Sequence, residues 1–581
     1  MKFVGKVLLT LLLLLMFSVV LCYLLLQTRW AAGCLSRWVS DNSEYRLSLG
    51  EIDHSWSTLG HISLNDVTLG RANHPPFLVA QRAVFGLSWR QLTEPRHFLN
   101  LQLQNGSLTL NNAASPLPLQ ADTLQLTNMA LNTTIEQKNS TTQWQITGQK
   151  VNGGLVPWQP QPGNNLGENT QFQFSASSLS VNGISAQQLY LQGSIEKNAL
   201  TLTNFGANIA QGELTGNGSQ LADGSWFVER LRLSNVRLQT TATLENVWQT
   251  FLQLPPITLK RFDLIDARVE GNNWAFNDLD LTLKNITFKQ GDWQTDDGEL
   301  SLNAGDIIKG NIHLIDPIAT FSLSPAGVTV NQLSTRWQDG LLRTQGSWAR
   351  DTHRLQLDEL TLVALVYTLP SNWKQQWQQT LPNWLSDVYV SKLSANRNLL
   401  IDINPDFPFQ ITSLDAVGTH LLLAKNHQWG VWSGSLMLNA GNATFNKNDV
   451  RRPSLALNAN EQQITFTDLS AFTKEGLMEA TASIDQTFTR TLSLMLTGRS
   501  VNLDILQNWG WPALPLQGLG NLKLQIKGNL AADTALKPTI SGSLQAIDNN
   551  GRQVSQTMQH GEVHGEGEGG QAALPSLLKL Q

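Results

Sequence analysis

The stretch LNLQLQNGSLTL, Leu99 to Leu110, alternates apolar and polar residues, breaks at Asn105-Gly106, and alternates again. Asn-Gly between two alternating runs predicts a two-residue type I′ turn. In that hairpin Gln104 faces Ser107, Leu103 faces Leu108 and Leu101 faces Leu110. Side chains alternate across a strand, so all four leucines share one face. Asn100, Gln102, Gln104, Ser107, Thr109 and Asn111 occupy the other face, with no charge among them.

The device recurs along the chain. Gly followed by alternating apolar positions appears in GHISL at Gly60, GSLTL at Gly106, GELSL at Gly298, GSLML at Gly434 and GNLKL at Gly520. The spacing is irregular, which predicts a long series of hairpins and meanders rather than a fixed-period solenoid. Charged residues are only 15% of the 581, below the roughly 25% of soluble domains. Asn, Gln, Ser and Thr therefore supply the polar surface. The net charge is −5, and no Lys/Arg run lies outside the extreme N-terminus, which argues against a nucleic-acid partner. The 19 Trp suit surfaces that are apolar at one end and wet at the other.

Val7 to Leu26, VLLTLLLLLMFSVVLCYLLL, is apolar apart from Thr10 and Ser18. As a helix it covers about 30 Å, the thickness of a bilayer's hydrocarbon core. Lys2 and Lys6 precede it and predict a cytoplasmic N-terminus, with the chain after Arg29 exported. A cleaved signal peptide and a lipoprotein signal at AAGC, Ala31 to Cys34, are the alternatives. The run exceeds the 7–15 residues usual in a signal peptide, which favours an uncleaved anchor. Cys22 and Cys34, the two cysteines, cannot form a disulfide framework for the body of the chain.

Beyond a short helix over Thr28 to Asp41, the sequence reads as strand for most of its length. Three helical interruptions stand out: Leu244 to Leu254, ended by Pro255-Pro256; the Trp-rich Asn372 to Val388; and Val501 to Pro512. Trp373, Trp377 and Trp384 make the second a candidate lid or membrane-interface contact, with a helix packed on a sheet end as the plainer alternative. From Asn549 the apolar alternation fades into a Gly-, Gln- and His-rich stretch, which predicts a flexible tail over 549–581.

A search for catalytic patterns finds no nucleophile elbow, zinc helix, phosphate loop or dinucleotide glycines. Asp296 with Asp297, Asp358 with Glu359, and Asp402 with Asp406 could pair as hydrolytic carboxylates. Asp, Asn, Pro and Gly are equally the ordinary residues of turns. His560, Glu562, His564 and Glu566 alternate within the expected tail and make a poor metal site. Neither a metal, a cofactor nor an enzyme activity is expected.

A leucine face of this length cannot stand in water, since each leucine gains ~1.5–3 kcal/mol on full burial. A second layer could cover it, as in a sandwich, bilayer lipid could cover it, as in a barrel, or lipid tails could fill it. Many alternating runs are shorter than the roughly 9–11 residues a barrel strand needs. Periodicity alone leaves sandwich and groove open.

The ordered set of further motifs resembles the AsmA-like family of envelope proteins. It runs from LLLQTRWAAGCLSRWVSDNSEYRLSLG (Leu24 to Gly50), HISLNDVTLG (His61 to Gly70) and SWRQLTEPRH (Ser88 to His97) to KVNGGLVPW (Lys150 to Trp158). It continues through NPDFPFQIT (Asn404 to Thr412), HQWGVWSGS (His427 to Ser435) and DVRRPSLAL (Asp449 to Leu457) to LQNWGWPALPLQGLGNLKLQIKGNL (Leu506 to Leu530). The resemblance implies a mainly β fold: a transmembrane helix followed by an elongated, curved antiparallel sheet whose concave apolar face is a groove of the bridge-like lipid-transfer type. It implies domains at 1–27 (anchor), 28–548 (periplasmic β domain) and 549–581 (tail). The partners it implies are phospholipid, the inner membrane and possible self-association or other envelope proteins, with outer-membrane protein assembly as the competing role. Leu101, Leu103, Leu108, Leu110, Leu300, Leu302, Leu436, Leu438, Leu522 and Leu524 are the candidate groove residues. A groove predicts that a charge at Leu103 or Leu108 spares the fold.

Overall fold

The computed structural model describes residues 2–581 except 59, 112–118, 137–142, 162–165, 182, 198, 222, 253–254, 510, 532–534 and 567–581. Strand accounts for 65% of the chain and helix for 12%, so the fold is mainly β, built on a long antiparallel sheet. The chain divides into two units, Met1–Gly271 with Leu283–Trp293, and Asn272–Thr282 with Gln294–Gln581.

The first helix, Lys2–Leu26, contains the segment Lys6–Leu26, long and apolar enough to cross a membrane. Its leucines stand exposed, as a lipid-facing helix requires. The second, Arg29–Asn42, turns Ala31 and Ala32 inward. Its Ser36 and Ser40 hydroxyls accept the backbone N–H groups of Leu49 and Leu47 at 3.1 and 3.2 Å, which ties the exit helix to the first strand.

The opening stretch is not a hairpin. His97–Asn111 is one continuous strand, paired antiparallel with Leu78–Gly86 and parallel with Gln120–Glu136. Asn105 adopts the left-handed conformation, φ +54°, inside the strand. That single residue reverses the alternation, so Leu101, Leu103 and Leu108 all point inward, at 2%, 3% and 8% exposure. The shared face is therefore real, and its cause is a crease rather than a turn. Leu110 stands on the same strand, and its side chain is outside the described residues. Gly106 serves a close approach: a Cβ there would lie 1.9 Å from the Val79 carbonyl oxygen.

The crease repeats. Asp66, Asn128, Asp266 and Asn285 have φ near +50° in the first unit, as do Asp278, Arg397, His420 and Ser500 in the second. At several of them the inward positions lie two residues before and one after: Leu126 and Met129 around Asn128, Leu283 and Ile286 around Asn285, Ala395 and Asn398 around Arg397. The N–H that the distortion frees from the ladder is taken by a neighbouring Asx side chain. Asn128 N–H donates to Asn152 Oδ1 (2.9 Å), Arg397 N–H to Asp415 Oδ1 (2.7 Å) and Ser500 N–H to Asn521 Oδ1 (3.0 Å). Bulged strands bend and twist more strongly, so creases aligned across neighbouring strands fold a sheet over its own apolar face.

A longer repeat underlies the irregular glycine spacing. Among the described residues three parallel pairs interrupt the antiparallel order: His97–Asn111 with Gln120–Glu136, Trp226–Gln239 with Ile257–Gly271, and Arg354–Thr368 with Asp387–Asp402. The first strand of each carries a left-handed residue, Asn105, Asn235 and Ala364, about 130 residues apart, the self-similarity expected of a repeat architecture. LNAG occurs at Leu302–Gly305 and again at Leu438–Gly441 in one hydrogen-bonded frame. Ala304 N–H meets the Pro317 carbonyl and Asp316 N–H the Gly305 carbonyl, as Ala440 N–H meets Pro453 and Arg452 N–H meets Gly441. Such interruptions split single strands into the short pieces that raise the count to 35 among the described residues.

Near the C-terminus the chain stays in strands, Gln553–Gln559 and Glu562–Glu566, where the fading alternation predicted a tail. Met558 and Val563, at 1% and 4% exposure, join Leu544 in a core cluster, and that sparse set of apolar residues suffices to dock a hairpin. The remainder, 567–581, lies outside the described residues.

Candidate functional site: an apolar lane and its strap

Cross-strand register in the second unit aligns one inward residue from each successive strand. Leu362 lies opposite Ala395, Ala395 opposite Ala416, and Ala416 opposite Leu438. Leu438 then meets Leu455, Leu455 meets Leu469, Leu469 meets Ala480, and Ala480 meets Leu496. Seven strand spacings of ~4.8 Å make this lane roughly 34 Å long. No member is charged. The leucines are half-buried rather than sealed, while the residues beside them on the opposite face, Val417 and Met437, are exposed at 57% and 54%.

Where Ile411, Leu438, Leu455, Leu469, Ala480 and Leu496 converge, a cavity of about 300 Å³ opens, the low end of small-molecule pockets. Trp509 lines it too. The short helix Ile505–Asn508, in the segment expected to be helical, brings that tryptophan over the sheet. Its indole N–H donates to the Phe445 carbonyl (3.1 Å), Asn448 Nδ2 donates to the Ile505 carbonyl (3.2 Å), and Asn508 Nδ2 donates to Asn448 Oδ1 (2.8 Å). The next strand position after Leu496 is Leu524, sealed at 2% exposure in a core with Val501, Leu506 and Trp511. Inside that core Trp511 Nε1–H donates to Gln556 Oε1 at 2.7 Å, which satisfies a polar group buried there. The lane thus ends at a packed plug.

Nine of the ten leucines nominated from sequence divide by this criterion, the side chain of Leu110 being outside the described residues. Leu101, Leu103 and Leu108 belong to a core cluster in the first unit, and Leu522 and Leu524 to the plug; their side chains meet protein. A charge at Leu103 or Leu108 would be buried and unpaired, so the structure places the cost of that change in folding. Leu300, Leu302, Leu436 and Leu438 are half-buried. Leu300 faces Phe321 and Leu302 faces Ala319 across the ladder, and Leu436 faces Leu457. Alternation identified the apolar face but carries no signal for which parts of it are covered. Leu455, Leu469, Ala480 and Leu496 were not singled out, because their runs lack the leading glycine that marked the others.

The Trp-rich segment crosses this apolar face. Parallel strands demand a return over the sheet, and Leu369 to Ser386 makes it. Leu369 N–H bonds the Ile401 carbonyl at one end, and Ser386 N–H bonds the His353 carbonyl at the other, both at 2.8 Å. The helix expected over Asn372 to Val388 is confined to Trp373–Gln378. Gln379 is already extended, with ψ 144°, and Pro382, which cannot donate to a helix ladder, follows. Trp373 Nε1–H donates to Asp402 Oδ2 at 3.1 Å. The Trp377 ring stacks on Trp429, centroids 5.8 Å apart, and the Trp384 carbonyl accepts from Trp348 Nε1 at 2.9 Å. Leu381 and Leu385 pack with Val388, Ala424 and Leu355, all inward positions. The segment is a strap over the apolar face, clamped at both ends.

Two of the carboxylates considered for hydrolysis, Asp402 and Asp406, lie in one hydrogen-bonded turn. Asp402, 4% exposed, holds Trp373 and accepts the Asn404 N–H at 3.0 Å, while Asn404 Oδ1 accepts the Asp406 N–H at 3.1 Å. This is turn architecture. Asp296, Asp297 and Asp358 are exposed. Among the described residues no three His, Cys, Asp or Glu side chains gather in a metal-holding group.

No family model and no solved structure matches the chain. It is 49% identical over 563 residues, covering 97% of this chain and 98% of the relative, to AsmA family protein YicH of Escherichia coli (strain K12). That identity over nearly full length shows what the ordered sequence motifs resembled: the chain belongs to the AsmA family.

Proposed function

We propose that this protein is anchored in the inner membrane by Lys6–Leu26, displays its β-rich body in the periplasm, and holds phospholipid acyl chains in the apolar lane of its sheet for envelope lipid transport. The lane from Leu362 to Leu496 carries the reading: an uncharged row whose leucines are half-buried beside a cavity of about 300 Å³. At roughly 34 Å it exceeds the ~15 Å of one bilayer leaflet's hydrocarbon, so it accommodates an extended acyl chain. The groove supplies burial for the chains while the head group stays hydrated at the rim. Transfer of this kind breaks no covalent bond and calls for no catalytic residue. Lys2 and Lys6 ahead of the apolar helix support a cytoplasmic N-terminus.

The competing role is a non-enzymatic scaffold in outer-membrane protein assembly. Two sealed cores favour it for the parts of the sheet they occupy, whereas the half-open lane favours lipid. Mass spectrometry of lipids bound to the full-length protein after detergent extraction separates them. Leu438→Asp with Leu455→Asp is expected to remain folded and lose bound phospholipid, against a wild-type protein carrying it. A lipid-free wild type, or a double variant that retains its lipid, overturns the groove reading.

A further inference from the structure

We propose that the turn between Leu78–Gly86 and His97–Asn111 is a second membrane contact, seating Trp89 and Leu92 in the interface of the bilayer that the N-terminal helix spans. Trp89 is 89% exposed and Leu92 79% exposed. They stand three apart on the 3₁₀ turn Trp89–Leu92, where side chains at that spacing align on one side. The turn is stiff. Ser88 Oγ accepts the Arg90 N–H at 3.3 Å and Gln91 Oε1 accepts the Ser88 N–H at 2.5 Å. Arg90 is held by Glu94 at 3.0 Å and by Asp122 at 3.4 Å. A rigid loop therefore presents two large apolar side chains that nothing among the described residues covers.

Its position names the occupant. Tyr23, in the last turn of the membrane helix, donates its hydroxyl to the His54 carbonyl, and Gln27 Nε2 donates to the same oxygen at 2.5 Å. His54 therefore sits at the level where the helix leaves the hydrocarbon. His54 pairs with Ile62, His61 pairs with Gly86, and Leu87 N–H bonds the Gly60 carbonyl at 2.6 Å. Two strand spacings, about 10 Å, separate His54 from Gly86. The turn that follows Gly86 hangs from this same rim. Trp and an aliphatic neighbour are suited to that boundary, where an indole keeps its apolar body in lipid and its N–H in water. The contact does not require an occupied groove.

The test uses the full-length protein with Cys22 and Cys34 replaced by Ser and single cysteines introduced as Trp89→Cys, Leu92→Cys or Asn73→Cys. Each carries an environment-sensitive fluorophore and is reconstituted in phosphatidylethanolamine/phosphatidylglycerol vesicles containing lipids spin-labelled near the glycerol. Asn73 is exposed and lies in the turn at the far end of the strand His61–Arg71. The proposal expects blue-shifted emission and several-fold stronger quenching at 89 and 92 than at 73. Equal quenching at all three overturns it, as does emission at 89 and 92 that matches the label in water. A blue shift without lipid quenching also overturns it, because the cover is then protein.

Discussion

Single residues decide how each strand bends. Asn105 at φ +54° turns an alternating run into a creased strand, and Gly106 lets the neighbouring chain close against it. Gly106→Ala forces a Cβ onto the Val79 carbonyl and is expected to destabilise the first unit by about 1–3 kcal/mol, the usual cost of overpacking, read by chemical denaturation. Leu524→Asp is expected to prevent folding of the C-terminal plug, since an unpaired charge buried at 2% exposure is far costlier than the same change at half-open Leu438. Circular dichroism of the two variants side by side checks the contrast. Asp548 offers a pH handle. Burial works against its charge, but the Arg552 N–H and guanidinium and the Asn550 N–H outweigh that and hold the carboxyl below its ordinary range. A depressed folded-state pKa adds stability above the ordinary carboxylate pKa that is lost as pH falls through the folded value. Asp548→Asn should therefore melt earlier than wild type at neutral pH, and the difference should close on acidification below the ordinary carboxylate range. An unchanged difference contradicts the assignment.

Among the elements, the strap Leu369 to Ser386 bears most directly on the groove. Its hold on one rim rests on the Trp373 indole N–H and the Asp402 carboxylate, a hydrogen bond to a charged group, and such bonds contribute about 1.5–3 kcal/mol. Asp402→Asn weakens that clamp while keeping an acceptor. Faster limited proteolysis within Leu369 to Ser386 and quicker lipid exchange, at unchanged overall folding, are the expected results. Cleavage kinetics identical to wild type would show that the stacked Trp377–Trp429 pair suffices. Much of this level was legible in the sequence. The long apolar N-terminal helix, the helix Leu244–Leu252 and the turn before Trp509 follow from apolar runs and proline stops. The crease was not legible, because Asn-Gly suits a hairpin and a left-handed residue beside a close approach equally well. The distinguishing sign is an odd spacing between inward residues, as from Leu103 to Leu108 or Leu126 to Met129. It becomes convincing only when the same odd step recurs on neighbouring strands. The C-terminal hairpin was missed for the opposite reason: two sealed apolar residues, Met558 and Val563, dock it where composition suggests a tail.

On the scale of the whole molecule, alternation announced an apolar face but could not say what covers it. The structure divides that face into sealed cores around Leu101 and Leu524 and a half-open lane around Leu438 and Leu455, and that division is the basis of the lipid reading. The crossover recurs at Asn105, Asn235 and Ala364, about 130 residues apart. The most direct measurement places a photoreactive amino acid at Leu438, on the lane, and at Met437, on the opposite face of the same strand, in the full-length protein within cells. The lipid-groove account predicts a phospholipid cross-link at 438 and none at 437. Equal labelling at both positions, or protein adducts alone at 438, would contradict it.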